Sequence, residues 1–186
     1  MKRSSVAVLA LGGLLALGAG SAQAQSGLNF GLGGGVTLPT GDFADFSKSL
    51  GWQGTAIVGY QPAGNLGARV DFLYGQTKFD EDETAGVEGK TTLAGGLASL
   101  VYSFPVAGAV KPYLVGGAGV YNVKIDPDGL PSDDETKFAA GGGLGIKFKA
   151  GSDAQFFVEG RYINVFTSGD DANFIPLTVG VTFATH

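Results

Sequence analysis

Leu28-Asn29-Phe30-Gly31-Leu32-Gly33-Gly34-Gly35-Val36-Thr37-Leu38 sorts its residues by parity. Leu28, Phe30, Leu32, Val36 and Leu38 fall on one face of an extended chain, and Asn29, Gly31, Gly33, Gly35 and Thr37 on the other. One face is greasy and the other small or polar. The same division recurs in Trp52 to Tyr60, Leu66 to Phe79, Thr92 to Phe104, Lys111 to Ile125, Lys137 to Phe148, Gln155 to Phe166 and Phe174 to Phe183, which makes eight strands. In the fourth, Leu93, Leu97 and Val101 compete with Ala94, Ala98, Leu100 and Tyr102 for the apolar face, and a register slip of one residue exchanges them.

The connections between these segments run 40–50, 61–65, 80–90, 105–110, 126–136, 149–154 and 167–173, so the first, third and fifth are about twice as long as the second, fourth and sixth. The short ones carry turn-forming sequences: Gln61-Pro62-Ala63-Gly64-Asn65, Pro105-Val106-Ala107-Gly108 and Ala150-Gly151-Ser152-Asp153. Trp52, Tyr60, Phe79, Tyr102, Phe104, Tyr113, Tyr121, Phe148, Phe156, Phe166 and Phe183 gather near strand ends, as rings do where lipid meets water. Lipid offers no water to unpaired backbone N–H and C=O groups, so strands cross it only as a closed ring. The pattern predicts an all-β, eight-stranded antiparallel up-and-down transmembrane β-barrel, with long connections outside and short turns and both termini in the periplasm. Gly is 33 of 186 residues, about 18% against a usual ~7%, and Gly on the inner face of a narrow barrel makes room for longer side chains.

Residues 1–24 read differently. Lys2 and Arg3 form a positive start, Val6 to Leu17 an apolar stretch, and Ala22-Gln23-Ala24 a small-residue cleavage site, together a secretory signal peptide. The apolar stretch is shorter than the about 20 residues of a membrane helix. The barrel domain is then 25–186, beginning at Gln25, and the absence of Cys leaves it without a disulfide framework.

Charge is sorted as sharply as hydropathy. Of 17 acidic residues, 14 lie on the odd-numbered connections, among them Asp80, Glu81, Asp82 and Glu83 on the third and Asp133, Asp134 and Glu135 on the fifth. The chain from Gln25 has 10 basic residues against 17 acidic, a formal charge of −7, which argues against a nucleic-acid partner. The acidic rim is either a collector of divalent cations shared with lipid phosphates or an ordinary hydrophilic loop surface. Asp126-Pro127-Asp128-Gly129 is not an EF-hand, since the Gly comes too early and the ligand ladder is missing.

Within the predicted strands, Arg69 and Asp71 on the third and Glu159 and Arg161 on the seventh each sit two apart, on one face. With Val70, Phe72, Val158 and Tyr162 toward lipid, all four charges line the lumen. Strands three and seven are diametrically opposed in a ring of eight, so the pairs can meet across it, with Gly31, Gly33, Gly35, Gly116, Ala118, Gly141, Gly143 and Gly145 leaving room. The four are either a salt-bridged plug or a gate and ion path.

No catalytic, cofactor or metal residues are expected. The only His is His186, so His-dependent acyl transfer has no internal base, and without Cys there is no thiolate. The runs Gly31–Gly35 and Gly141–Gly145 lack the helix and Lys-Ser/Thr of a phosphate loop, and read as packing.

The chain resembles the small outer-membrane β-barrel superfamily, the eight-stranded group that includes outer membrane proteins A, X and W. The features that carry this are the Ala22-Gln23-Ala24 leader end, the strand Lys111-Pro112-Tyr113-Leu114-Val115-Gly116-Gly117-Ala118-Gly119, and the closing alternation Ile175, Leu177, Val179, Val181, Phe183. That alternation is similar to the C-terminal signal read by the barrel-assembly machinery, though here Ala184-Thr185-His186 follow the last aromatic. The resemblance implies an outer-membrane protein of a Gram-negative-type bacterium, surrounded by outer-membrane lipid and lipopolysaccharide and expected to be a monomer. Two functions remain open: a non-enzymatic surface protein serving envelope integrity, adhesion or surface interaction, and a narrow channel for small or apolar solutes. A soluble lipocalin-like carrier, apolar inside and polar outside, is the third alternative.

Overall fold

The computed structural model describes residues 27–41, 50–62, 64–78, 89–127, 133–166 and 172–185. They form eight strands: β1 (Leu28–Thr40), β2 (Gly51–Tyr60), β3 (Leu66–Lys78), β4 (Gly89–Ser103), β5 (Val110–Pro127), β6 (Asp133–Lys149), β7 (Ala154–Val165) and β8 (Ala172–Ala184). Each pairs antiparallel with its chain neighbour, and β1 also pairs with β8, Phe30 opposite Phe183 and Leu32 opposite Val181, so the ring closes. Closure pairs the strand edges that lipid could not satisfy. The ladder lapses between Gly160↔Leu177 and Ile163↔Phe174, where Pro176 has no N–H to give. The expected signal peptide 1–24, Phe79, His186 and most of the acidic loop residues lie outside the described residues.

The wall is built as the alternation requires. Leu32, Trp52, Val70, Leu100, Leu144, Phe156 and Val179 are exposed on the outside, while Thr37, Gln53, Arg69, Asp71, Glu159, Arg161 and Thr178 are buried inside. Apolar outside and charged inside is the reverse of a lipocalin-like carrier. At the loop end Trp52 packs on Tyr74 with ring centroids 5.9 Å apart, and Phe138 stacks on Phe166 at 5.8 Å; at the turn end Tyr102 meets Phe104 edge-on at 5.4 Å. Trp52 and Tyr60 bracket β2, and the about 27 Å of strand between them, inclined at about 40°, covers about 21 Å of membrane. At the turn end, Gly108 (φ 131°) and Gly151 (φ 154°) supply backbone conformations that a side chain would strain.

β4 keeps one register throughout, with Leu93, Leu97 and Val101 inside and Ala98, Leu100 and Tyr102 outside. The inward leucines are at home because the lumen between the charges and the loop end is apolar: they pack with Leu73, Tyr121, Ala139, Ile163, Val165 and Phe174. On β5 the expected faces are exchanged. Gly116 and Ala118 face outward and Gly117 and Gly119 inward, and Tyr113 and Tyr121 are core residues rather than girdle residues. Both faces of β5 mix small and apolar residues, so parity alone could not orient it.

Three of the inward aromatics share one device. Tyr113 lies directly opposite Gly145, Tyr121 opposite Gly95 and Phe157 opposite Gly180. A Cβ built on any of these glycines would collide with the partner ring. Absence of a side chain on one strand therefore lets a ring lie flat across the lumen from the next, and this is the specific use of part of the glycine excess.

β5 and β6 are 18 and 17 residues long, well beyond the about 9–11 needed to cross the bilayer. The expected connection 126–136 is accordingly shorter, since β5 runs on through Pro127 and β6 begins at Asp133. Beyond the lipid the ladder needs no apolar side chains, so the alternation that marks the spanning part stops before the pairing does.

Replacing Gly145 with Val should displace the Tyr113 ring and destabilise the barrel by about 1–3 kcal/mol, the usual cost of overpacking. Urea unfolding in detergent micelles measures it; a wild-type midpoint would mean that the ring is not seated on the glycine.

Candidate functional site

Midway along the lumen four charged side chains form a single layer. β3 carries Arg69 and Asp71, and β7, four strands away around the ring, carries Glu159 and Arg161. All four are 6–8% exposed. Arg69 Nη2 donates to both Glu159 carboxylate oxygens at 2.6 Å, which spans the barrel from wall to wall. Arg161 Nε donates to Glu159 Oε1 at 2.6 Å and its Nη2 to Asp71 Oδ2 at 2.9 Å, a second crossing. Arg69 Nε sits 2.8 Å from Asp71 Oδ1 as an ion pair, although its N–H is not aimed at that oxygen. Ser99 Oγ on β4 donates to Asp71 Oδ2 at 3.3 Å.

Tyr113 completes the layer and was not legible as a member. Its hydroxyl donates to Glu159 Oε2 at 2.7 Å, so Glu159 accepts from both arginines and a phenol. The signal that would have found it is Gly145 directly across the ladder, which needs the register of β5 on β6. Two guanidinium and two carboxylate groups make the layer neutral. Burying such groups costs several kcal/mol per ion, and only near-complete hydrogen bonding offsets that; here each carboxylate meets both guanidinium groups.

The layer is closed on both sides. Toward the loops lies a void of about 20 Å³ lined by Asp71, Glu159, Arg161, Tyr121 and Pro176, and beyond it the apolar cluster around Leu97 and Phe174. Toward the turns a second void of about 20 Å³ lies between Arg69, Val101, Lys147 and Phe157. Each has room for about one water. Further down, the lumen opens into a vestibule of about 320 Å³ at the turn end. Among the described residues no three His, Cys, Asp or Glu side chains are placed to hold a metal ion. What the arrangement can do chemically is brace opposite walls and resist the passage of ions.

The predicted C-terminal residues Ile175, Leu177, Val179, Val181 and Phe183 share the outward face of β8, opposite Leu38, Val36, Gly34, Leu32 and Phe30 of β1, and so form the seam of the ring.

Comparison with known proteins places these features. The family model of the outer membrane protein β-barrel domain matches residues 9–183. Among solved structures the chain is similar to Neisserial surface protein A, at 18% identity and a TM-score of 0.63 over 85% of this chain and 97% of that one. It is also similar to Ail, the attachment invasion locus protein of Yersinia pestis, solved in complex with the heparin analogue sucrose octasulfate, at 18% identity and a TM-score of 0.53 over 86% and 97%. A major outer membrane protein from Thermus thermophilus matches at 12% identity and a TM-score of 0.54 over 84% and 98%. Among curated protein sequences no match was found.

Arg69→Ala should leave Glu159 short of a donor in a dry interior and cost about 3–5 kcal/mol, part of which returns when Glu159→Ala is added. A double-mutant cycle on Arg69 and Glu159, read from denaturant unfolding in micelles, should give a coupling of about 1.5–3 kcal/mol. Strict additivity would dissolve the cross-lumen pair.

Proposed function

We infer the function of this chain, which belongs to the outer membrane protein β-barrel domain family, from a lumen that is filled along most of its length. The reading is a non-enzymatic integral outer-membrane protein whose activity lies on its loops, in envelope integrity, adhesion or surface interaction. The observation that carries it is the succession of the Arg69-Asp71-Glu159-Arg161 layer and the apolar layer around Leu93, Leu97, Tyr121 and Phe174, with space for about one water between them. A route for ions would have to break charge-assisted hydrogen bonds and also cross a dry apolar stretch. That makes the four charges a plug, and it weighs against the narrow-channel alternative.

The loop charges narrow the partner. Fourteen acidic residues lie on the connections that the topology gathers at one end, four of them, Asp126, Asp133, Asp134 and Glu135, on the projecting β5–β6 ribbon among the described residues. Ail was solved with a heparin analogue; an acidic rim repels polyanions, so that ligand does not carry over to this chain. A basic protein surface, or lipopolysaccharide phosphate bridged by divalent cations, matches the charge. The same reading has the leader 1–24 cleaved before Gln25, the barrel-assembly machinery recognising the Ile175, Leu177, Val179, Val181, Phe183 seam, and the folded protein a monomer with no nucleic-acid partner.

Refolded protein in planar bilayers should give no discrete conductance steps above a protein-free bilayer; stepwise currents that vanish on removal of the protein would restore the channel.

On intact cells, a protease specific for acidic residues should cut within 80–88 and 126–136 and spare the turn at 149–154. Cleavage confined to that turn would invert the topology.

A further inference from the structure

Below the plug the lumen changes character. β5 and β6 place Lys111 and Lys147 directly opposite each other on inward positions. Lys147 Nζ lies over the Tyr113 ring, 4.9 Å from its centroid, and the Arg69 guanidinium lies on the same ring at 6.0 Å. Like charges facing one another across a ladder repel. Of the lumen carboxylates, Asp71 and Glu159 are ion-paired with the two arginines; Glu159 attracts Lys147 in part, but the Arg69 guanidinium repels it more strongly, so the repulsion is not cancelled. The vestibule of about 320 Å³ in front of the lysines is lined by Asn29, Gln61, Ser103 and Gln155, with Asp153 at its rim, and holds the volume of about ten waters. Gln61 Nε2 donates to Ser103 Oγ at 3.2 Å, so the amide and hydroxyl groups are already ordered around the space.

We propose that this vestibule is a binding site for the phosphate group of a small solute. Two ammonium groups stand against the single rim carboxylate, which leaves an excess of positive charge that the vestibule itself does not neutralise. A phosphate monoester carries about −1.5 to −2 at neutral pH and has three strong acceptor oxygens. It can engage both lysines, as point charges, and the amide and hydroxyl donors around them. A monocarboxylate neutralises one lysine and leaves the other facing it, and an apolar guest leaves both cations dry. The Tyr113 face supports Lys147 from behind without competing for the anion. Since the plug closes the lumen directly above, the site is a dead end: it holds its ligand and does not pass it on. It goes beyond the loop-borne function and is independent of it, being at the opposite end of the barrel.

The test uses the chain from Gln25 refolded in maltoside micelles, which contain no phosphate, titrated with inorganic phosphate, glycerol phosphate, acetate and chloride at matched ionic strength. The readout is the NMR shift of backbone amides and lysine Nζ groups. Both phosphates should give saturable shifts at Asn29, Gln61, Ser103, Lys111, Lys147 and Gln155, acetate weaker ones and chloride none. Lys111→Met, at the exposed mouth where folding is not at risk, should weaken phosphate about tenfold, the worth of one charged hydrogen bond, while Lys149→Met, outside the vestibule, binds like wild type. Saturation by glycerol phosphate alone would assign the site to organic esters, and by both to the phosphate group itself. Equal responses to all four salts, or wild-type affinity in Lys111→Met, would overturn the proposal. Bilayer conductance is not involved, so failure here and failure of the sealed-barrel reading are separate results.

Discussion

The contact of Arg69 with Glu159 across the barrel sets the scale of everything around it. Side chains from diametrically opposed strands meet at 2.6 Å only because the ring has eight strands, and the lumen it encloses is therefore something to be filled. The filling must be polar at that level, since each buried charge demands partners, and it must be complete, since a carboxylate short of a donor would cost more than the pair contributes. Glu159 meets the demand with three donors from three strands. Tyr113 can be the third only because Gly145 gives up its side chain across the ladder.

Much of this was legible because a barrel in lipid obeys parity. The outward series on β1, β3, β7 and β8 is apolar through the middle of each strand but for Gly34 and Gly160, and it assigns Arg69, Asp71, Glu159 and Arg161 to the lumen without reference to any contact. Strand counting then opposes the two pairs. Parity fails where both faces are apolar. Leu93, Leu97 and Val101 on β4 are as greasy as their outward neighbours, and Tyr113 and Tyr121 on β5 resemble interfacial aromatics until the register seats them on Gly145 and Gly95. The interior apolar layer was hidden for the same reason: one or two buried apolar residues on each of several strands form no local pattern. The height of the β5–β6 ribbon was hidden for a different one, since strand pairing outside the membrane is held by backbone hydrogen bonds that leave no apolar signature.

The layers also fix where variation is tolerated. A change in the middle of the lumen disturbs either the charges, which act as a unit, or the aromatic rings and the glycines that seat them. The loop end lies beyond this coupling, and at the turn end only Lys147, over the Tyr113 ring, is tied to it. The loop end carries most of the acidic residues and the turn end the two facing lysines, so the long-range field runs from a negative rim to a positive mouth, separated by a neutral plug and an apolar wall. A protein whose work was conduction would place its decisive charges along a water-filled path. Here the charges midway are neutralised against each other, and the uncompensated ones lie at the surfaces.

The glycine content follows from the same constraint. A narrow closed ring must accommodate arginine, tyrosine and phenylalanine side chains pointing inward from several strands at once, and the space comes from cross-strand positions with no side chain of their own. Gly145, Gly95 and Gly180 do this for Tyr113, Tyr121 and Phe157, while Gly117 and Gly119, where a Cβ would meet the β4 backbone, bring β5 and β4 together. Their conformational cost in the unfolded chain is met by the large buried side chains they admit. Glycine here is the complement of the aromatic and charged core, and the two distributions can be understood only as a pair.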